Sequence, residues 1–248
     1  MKNANLLASL KVVVTRPDGQ NQDLSEALST LGATVIKRPC ITLESYTDND
    51  LNLDLGQLDA AIFISANAVR FGYSRMQALA TPQQFFCVGS ATANALHQQG
   101  VTAVLFPKQD FSSEGLLQLP ALQSVEGKKI VIVRGRGGRE LLYETLQARG
   151  AIVHYLETYQ RVLPKCQYSA DGDIVFITSN EVADNLVQLT TKAEKHRLLQ
   201  TQTIVGHENI SIHIKTLGFS KTPLVAANPR DDSMLETLLN WVNTDDWY

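Results

Sequence analysis

The chain has 248 residues, 44% of them hydrophobic and 19% charged, with a formal net charge of −3. That is the balance of a soluble globular protein with apolar matter for one large or two ordinary domains, and the missing basic excess argues against a nucleic-acid binder held by phosphates. Cys40, Cys87 and Cys166 are odd in number, far apart and without CxxC spacing, which fits a reducing cytoplasm; no stretch approaches the ~20 apolar residues of a membrane span, and the apolar run before Lys11 is shorter than a signal-peptide core of roughly 7–15 residues.

Lys11–Arg16 is a β-branched run stopped by Pro17-Asp18-Gly19, which predicts a buried parallel strand and a turn. Leu24, Ala27, Leu28 and Leu31 then fall on one helical stripe, with Gly32 where a left-handed C-cap is wanted. Ala33–Ile36 starts the next strand, Pro39 breaks it, and Ile41-Thr42-Leu43 continues extended. After a polar loop around Asp48–Asn52, the strand from Asp59 ends in Ser65-Ala66-Asn67, small hydrogen-bonding residues suited to capping the next helix. Phe85–Val88 runs into Gly89-Ser90-Ala91-Thr92, a second strand-to-helix turn whose helix closes at Gly100. Val101–Phe106 is a further strand before Pro107 and the helix start Ser112-Ser113-Glu114.

Lys128–Pro164 reads strand, turn, helix, strand, and it repeats the start of the chain without a gap. Lys11/Lys129, Arg16/Arg134, Gly19/Gly137, Leu28/Leu146 and Gly32/Gly150 are each 118 positions apart. A second echo joins Asp59–Asn67 to Asp173–Asn180, aligned on Asn67 and Asn180 at an offset of 113. Looser echoes follow: Thr203-Ile-Val-Gly206-His207 echoes the Phe85–Val88 strand running into Gly89-Ser90-Ala91-Thr92, and Leu224–Ala227 with Asp231–Ser233 stands for the last strand and helix of the first half. The chain is therefore A (10–43), B (58–122), A′ (128–164), B′ (171–242), and one A plus one B makes a five-stranded doubly wound sheet of flavodoxin-like size. Repetition leaves two pairings open: A with B and A′ with B′ in series, or B with A′ as a domain inserted inside A plus B′. Arg38–Glu44 and Glu157–Leu163 look like continuing strands rather than Gly/Ser-rich linkers, which favours the nested version.

Gly135-Arg136-Gly137-Gly138-Arg139-Glu140 follows a strand and opens a helix, yet Glu140 occupies the third glycine position of a dinucleotide fingerprint and the Lys-Ser/Thr of a P-loop is missing. What survives is an anion-holding turn, with free N–H groups beside Arg134, Arg136 and Arg139; its bland alternative is a solvated basic turn. His207-Glu208 starts like a zinc motif but Ser211 stands in the second histidine's place, and no GxSxG, Cys/His pair or carboxylate cluster exists. The remaining polar groups are the strand-end loops Ser65-Ala66-Asn67, Gly89–Thr92, Ser112-Ser113, Thr178-Ser179-Asn180 and Gly206-His207, each individually a helix cap. Gathered at the carboxyl ends of the strands, they would line a cleft of N–H and hydroxyl donors for a large polyanion, with no cofactor required.

These residues resemble the uroporphyrinogen-III synthase family, through TRPDGQNQDLSEALSTLGATV, IFISANAV, CVGSATANAL, FPKQDFSSEGLL, IVRGRGGRELLYETLQARGAIVHYLETYQRVLP and IVFITSNEV in that order, across essentially the whole chain. The resemblance implies two flavodoxin-like doubly wound parallel-sheet domains, the second inserted in the first and joined by a two-stranded linker. Domain 1 would be residues 1–38 plus 168–248, domain 2 residues 44–157, and the linker strands 39–43 and 158–167. It implies a lyase without cofactor or metal that takes hydroxymethylbilane, a linear tetrapyrrole with eight carboxylates, expels water, inverts ring D through a spiro intermediate and closes the macrocycle. A cytoplasmic monomer is expected, with no nucleic acid or membrane as partner and transient contact with the upstream enzyme that produces the bilane. The family's best candidate for the proton donor, a tyrosine on the return linker, maps onto Tyr159, whose bland alternative is a linker aromatic packing the hinge. Thr178 and Thr92 take the family's hydroxyl positions in the two domains. The counterpart of Gly89–Thr92 is Gly206-His207-Glu208-Asn209, where Asn209 would stand in for the threonine. The substrate-binding set is then Arg16, Ser65, Ala66, Asn67, Gly89, Thr92, Ser112, Ser113, Arg134, Gly135, Arg139, Thr178, Ser179, Asn180, Gly206 and His207.

Overall fold

The computed structural model describes residues 6–47 and 57–244, and the polar loop expected around Asp48–Asn52 lies outside the described residues. In chain order the elements are β1 (Lys11–Val14), α1 (Gln22–Thr30), β2 (Thr34–Lys37), β3 (Thr42–Ser45), β4 (Leu58–Phe63), α2 (Ala66–Leu79), β5 (Pro82–Cys87), α3 (Ser90–Gln98), β6 (Val104–Leu105) and α4 (Ser113–Leu117). They continue as β7 (Lys129–Gly135), α5 (Leu141–Ala148), β8 (Ile152–Val162), β9 (Ile174–Ile177), α6 (Asn180–Leu189), α7 (Lys195–Leu199), β10 (Gln202–Val205), α8 (Glu208–Thr216), β11 (Leu224–Val225) and α9 (Asp231–Val242). The chain divides into two compact units, Met1–Thr42 with Val162–Tyr248, and Leu43–Arg161. The second unit interrupts the first.

The first unit carries a parallel sheet in the order β11-β10-β9-β1-β2, which is 2-1-3-4-5 when its strands are numbered within the unit and read from the β2 edge. Its central strands are apolar on both sides because helices cover both faces. Val12, Val14, Leu24, Leu28, Met234 and Leu238 form the core under α1 and α9, and Leu7 and Leu10 of the apolar N-terminal run are buried in the same cluster. After α1 and α5 the chain turns back at Gly32 (φ 93°) and Gly150 (φ 84°), where a side chain would be strained.

The second unit's sheet runs β3-β8-β7-β4-β5-β6. Setting β3 aside, its spatial order matches the first unit strand for strand, but the chain enters at β4 instead of at the counterpart of β1. The second unit is thus a circular permutation of the first, which is what nesting B and A′ inside A and B′ requires. Registers agree throughout: Lys11 pairs Thr34 as Lys129 pairs Ile152, and Val12 pairs Ile174 as Ile130 pairs Ala60. At the same corner of each sheet an aspartate accepts a strand N–H at 2.8 Å, Asp173 from Lys11 and Asp59 from Lys129.

That shared hydrogen bond corrects the alignment of the second echo. Asp59 and Asp173 are 114 positions apart, as are the helix N-caps Ser65 and Ser179, so the offset of 113 is one residue short. Asn180 is the first residue of α6 whereas Asn67 is the second of α2. The counterpart of Thr178 is Ile64, not Ser65. The loose echo shifts likewise: the N-caps Gly89 and His207 correspond, Thr92 matches buried Ile210, and exposed Asn209 matches Ala91. Asn209 is therefore not the positional counterpart of Thr92. Strand register and capping geometry fix these positions, and matching asparagines by letter does not.

Candidate active site

In the second unit the predicted residues gather at the carboxyl ends of parallel strands, because each follows one: Ser65 follows β4, Gly89 follows β5, Ser112 follows β6 and Gly135 ends β7. Three serines do the same local job. Ser65, Ser112 and Ser179 are extended N-caps whose hydroxyls accept the N–H three residues on, from Ala68 (3.1 Å), Gly115 (3.0 Å) and Val182 (3.2 Å). Ala66, Asn67 and Ser113 sit in the first turns they cap. Thr92 is buried in the first turn of α3, and Gly89 lies under the ring of Phe111.

Tyr159 is delivered by an irregularity. The β7–β8 register runs in step to Arg134↔Glu157 and then jumps to Gly135↔Tyr159, leaving Thr158 as the extra residue of a β-bulge. Strict alternation would put Thr158 and Tyr159 on opposite faces. Here both reach the face under α2: a Cβ at Gly72 would lie 2.7 Å from Thr158 Cγ2, and Tyr159 belongs to the core cluster of Val133 and Tyr73. Its ring, 8% exposed, stacks on Phe71 at 5.4 Å, and its hydroxyl lies 3.1 Å from Ser65 Oγ. Gly135 is needed for this arrangement, since a Cβ there would sit 2.6 Å from the phenol ring. Tyr159, Ser65 and Gly135 form one constellation.

The arginine turn forms another, on the opposite face. Arg134 is only 3% exposed, and its guanidinium is occupied inside the protein: it donates to the carbonyls of Gly135 (3.2 Å), Gly137 and Arg139 (3.4 Å) and to the Glu140 carboxylate (3.3 Å), and it lies over the Tyr155 ring at 4.5 Å. Tyr155 donates to Glu140 at 2.6 Å, and burial followed by that bond raises its phenol above the usual tyrosine range. Arg139 pairs with exposed Glu114 at 2.5 Å, holding that carboxyl below its usual range. The Gly137 N–H is taken by Glu157 at 3.1 Å, and Arg136 lies over the Tyr46 ring. A cavity of about 320 Å³ opens beside this network, lined among others by Ile64, Phe111, Ser112, Ser113, Arg134 and Tyr155. Sequence reasoning missed Tyr155, met Glu114 only as part of a helix start, and met Glu140 only as the residue that spoils a glycine fingerprint.

In the first unit, Thr178 follows β9, Ser179 and Asn180 open α6, and Gly206-His207 joins β10 to α8. Gly206 lets the loop at Pro229 approach, since a Cβ there would lie 2.7 Å from Pro229 Cβ. Arg16, the twin of Arg134, is likewise engaged: it donates to Pro229 O and pairs with Asp231 at 2.6 Å, at the start of α9. Both strand-end arginines anchor a neighbouring loop and helix start.

A family model described as uroporphyrinogen-III synthase HemD matches residues 22–236. The uroporphyrinogen-III synthases of Escherichia coli (strain K12) and Salmonella typhimurium (strain LT2) are 33% and 32% identical to this chain, each match covering 92% of it and 100% of the relative. The uroporphyrinogen-III synthetase structure from Helicobacter pylori 26695 superposes with a TM-score of 0.61 at 16% identity, over 94% of this chain and 99% of that one. A mutant synthase from the extremely thermophilic bacterium Thermus thermophilus gives 0.57 at 16% identity, over 96% and 100%. At that identity the solved structures speak to the fold, a two-domain α/β architecture of parallel sheets, while the family model and the bacterial relatives reach across nearly the whole sequence. This chain belongs to the uroporphyrinogen-III synthase family.

Proposed function

We infer from this membership that the chain closes hydroxymethylbilane to uroporphyrinogen III, with loss of water and inversion of ring D, and that Tyr159 supplies the proton to the departing hydroxyl. The observation that carries the second part is the Tyr159 phenol, held at the carboxyl end of a parallel sheet 3.1 Å from Ser65. Protonation lets the substrate C–O bond break with its electron pair on oxygen, and water leaves. The azafulvenium cation left behind needs only preorganised dipoles or a carboxylate of the substrate itself. Ring D then attacks through the spiro intermediate and the macrocycle closes.

The substrate carboxylates would be held by strand-end donors: the capping turns at Ser65, Ala66, Asn67, Gly89, Ser112 and Ser113, with Thr92, and in the first unit Thr178, Ser179, Asn180, Gly206 and His207. Arg16, Arg134 and Arg139 contribute at one remove, by fixing the loops that carry these donors. Two other functions fit a polyanion cleft read from the sequence: an enzyme of phosphorylated sugars that uses the Arg134–Arg139 turn, and a two-domain clamp that binds an anionic ligand without chemistry. The first is weakened because Arg134 already donates inside the protein, and family membership disfavours the second. We place the chain in the cytoplasm as a monomer that meets the bilane-producing enzyme transiently. Three free cysteines support the cytoplasmic placement; among the described residues no helix is long and apolar enough to cross a membrane.

The test is to supply enzymatically generated hydroxymethylbilane and resolve the oxidised porphyrin isomers. Type III isomer is expected, and type I alone, the spontaneous product, overturns the reading. In the same assay Tyr159→Phe should lower turnover by about 100-fold or more; full turnover would remove Tyr159 from the chemistry.

A further inference from the structure

We propose that Ser65 is a positioning residue for Tyr159: its hydroxyl donates to the phenol oxygen, turning the phenol proton toward the substrate and leaving a donor in place for the phenolate that forms. The proposal rests on the reading of Tyr159 as the proton donor and goes beyond it, because it gives Ser65 a task other than touching substrate.

The bookkeeping of one hydroxyl carries the argument. Ser65 Oγ has one proton and two lone pairs. One lone pair accepts the Ala68 N–H at 3.1 Å, and the Tyr159 oxygen lies 3.1 Å away on another side. Two directions are open for that second bond. If Tyr159 donated, its only proton would be spent on serine and the acid would be disarmed. If Ser65 donates, the phenol proton has no partner in this constellation and is free for a ligand. The surroundings favour the second direction once charge develops. Ser65 is the N-cap of α2, a 14-residue helix, so unpaired first-turn N–H groups and the positive end of the dipole lie beside the oxygen that becomes negative.

The ring cannot swing away from this contact. Phe71 stacks on one face, Gly135 leaves no room for a Cβ against the ring, and the Tyr159 carbonyl is pinned by the Arg136 N–H at 2.7 Å. The step then balances. The phenol O–H bond breaks, its proton joins the leaving oxygen, the C–O bond breaks with its electron pair, and water departs. The substrate carries the cation and Tyr159 the phenolate, bound by the Ser65 proton. The proton released when ring closure restores the last pyrrole returns to Tyr159.

Four variants separate positioning from capping and from substrate contact. Ser65→Ala should lower kcat about 10- to 100-fold with KM changed less than about 3-fold. Ser65→Thr keeps both hydroxyl and cap and should rescue most of that loss. Ser65→Asp caps α2 and keeps the melting temperature, but it has no proton to give and sets a negative charge beside the phenolate, so its kcat should fall at least as far as that of Ser65→Ala. In a Tyr159→Phe background, Ser65→Ala should add less than about 2-fold, since the residue acts through the phenol. A multiplicative loss there, or wild-type kcat in Ser65→Asp, overturns the proposal while leaving Tyr159 as the acid. Full turnover in Tyr159→Phe removes the acid reading itself, and this one with it.

Discussion

At the scale of single residues, the candidate site is decided by what a side chain must avoid as much as by what it touches. Gly135 has an ordinary strand conformation, so its role is space: the Tyr159 ring lies where a Cβ would be. Gly135→Ala should therefore displace the phenol and lower kcat about 10-fold or more, at a stability cost of about 1–3 kcal/mol, with enzyme assay and thermal melt as the paired measurements. Cysteines obey the same logic of environment. Burial pushes the Cys40 thiol up to about 12 and the Cys87 thiol up to about 11, while Cys166 is exposed. Iodoacetamide at pH 8 should label Cys166 alone in the folded protein, as read by mass spectrometry. The sign of the stability effect follows. Above pH 9 the unfolded chain loses these thiol protons while the folded chain keeps them, so stability falls from about pH 9 toward 11–12. In Cys40→Ala/Cys87→Ala the drop in urea midpoint between pH 8 and pH 10 should shrink.

At the scale of elements, helix caps and a bulge do the positioning. Ser65 and Ser179 occupy equivalent caps, yet of the two it is Ser65 whose oxygen meets a tyrosine hydroxyl. Ser179→Ala should lower stability by about 1 kcal/mol, and Ser179→Asp should restore it, both read from urea melts. Failure of Ser179→Asp to restore the melt would mean that this serine does more than cap. The bulge at Thr158 is the other device. It puts two consecutive residues on the face under α2, and without it Tyr159 would face away from Ser65. Arg134 and Arg16 act at this scale too, each tying a strand end to the start of a helix.

At the scale of the whole molecule, one five-stranded winding occurs twice, the second time entered at a different strand. Among the described residues, two core clusters of the second unit, one under α2 and α3 and one under α4 and α5, draw only on residues 43–161. A fragment spanning Leu43–Arg161 should therefore fold alone, with a cooperative thermal transition and dispersed amide resonances. A non-cooperative melt would show that the inserted unit depends on its host.

The sequence by itself determined the repeated α/β units, the glycine turns at Gly32 and Gly150, the buried stripes of the helices, and the family that these together resemble. Those features are local: periodicity and turn chemistry are written in neighbouring residues. The repeat alone left the nested pairing open, because a five-stranded winding built from A and either B would bury similar faces; the extended look of the two crossings favoured it, the family resemblance implied it, and the strand order of the two sheets shows it. The one-residue shift of the second echo, the burial of Arg134 among carbonyls, and the meeting of Tyr159 with Ser65 across 94 positions were not legible. Each depends on strand register and on a bulge whose effect is visible only when β7 lies beside β8, and that contact is tertiary.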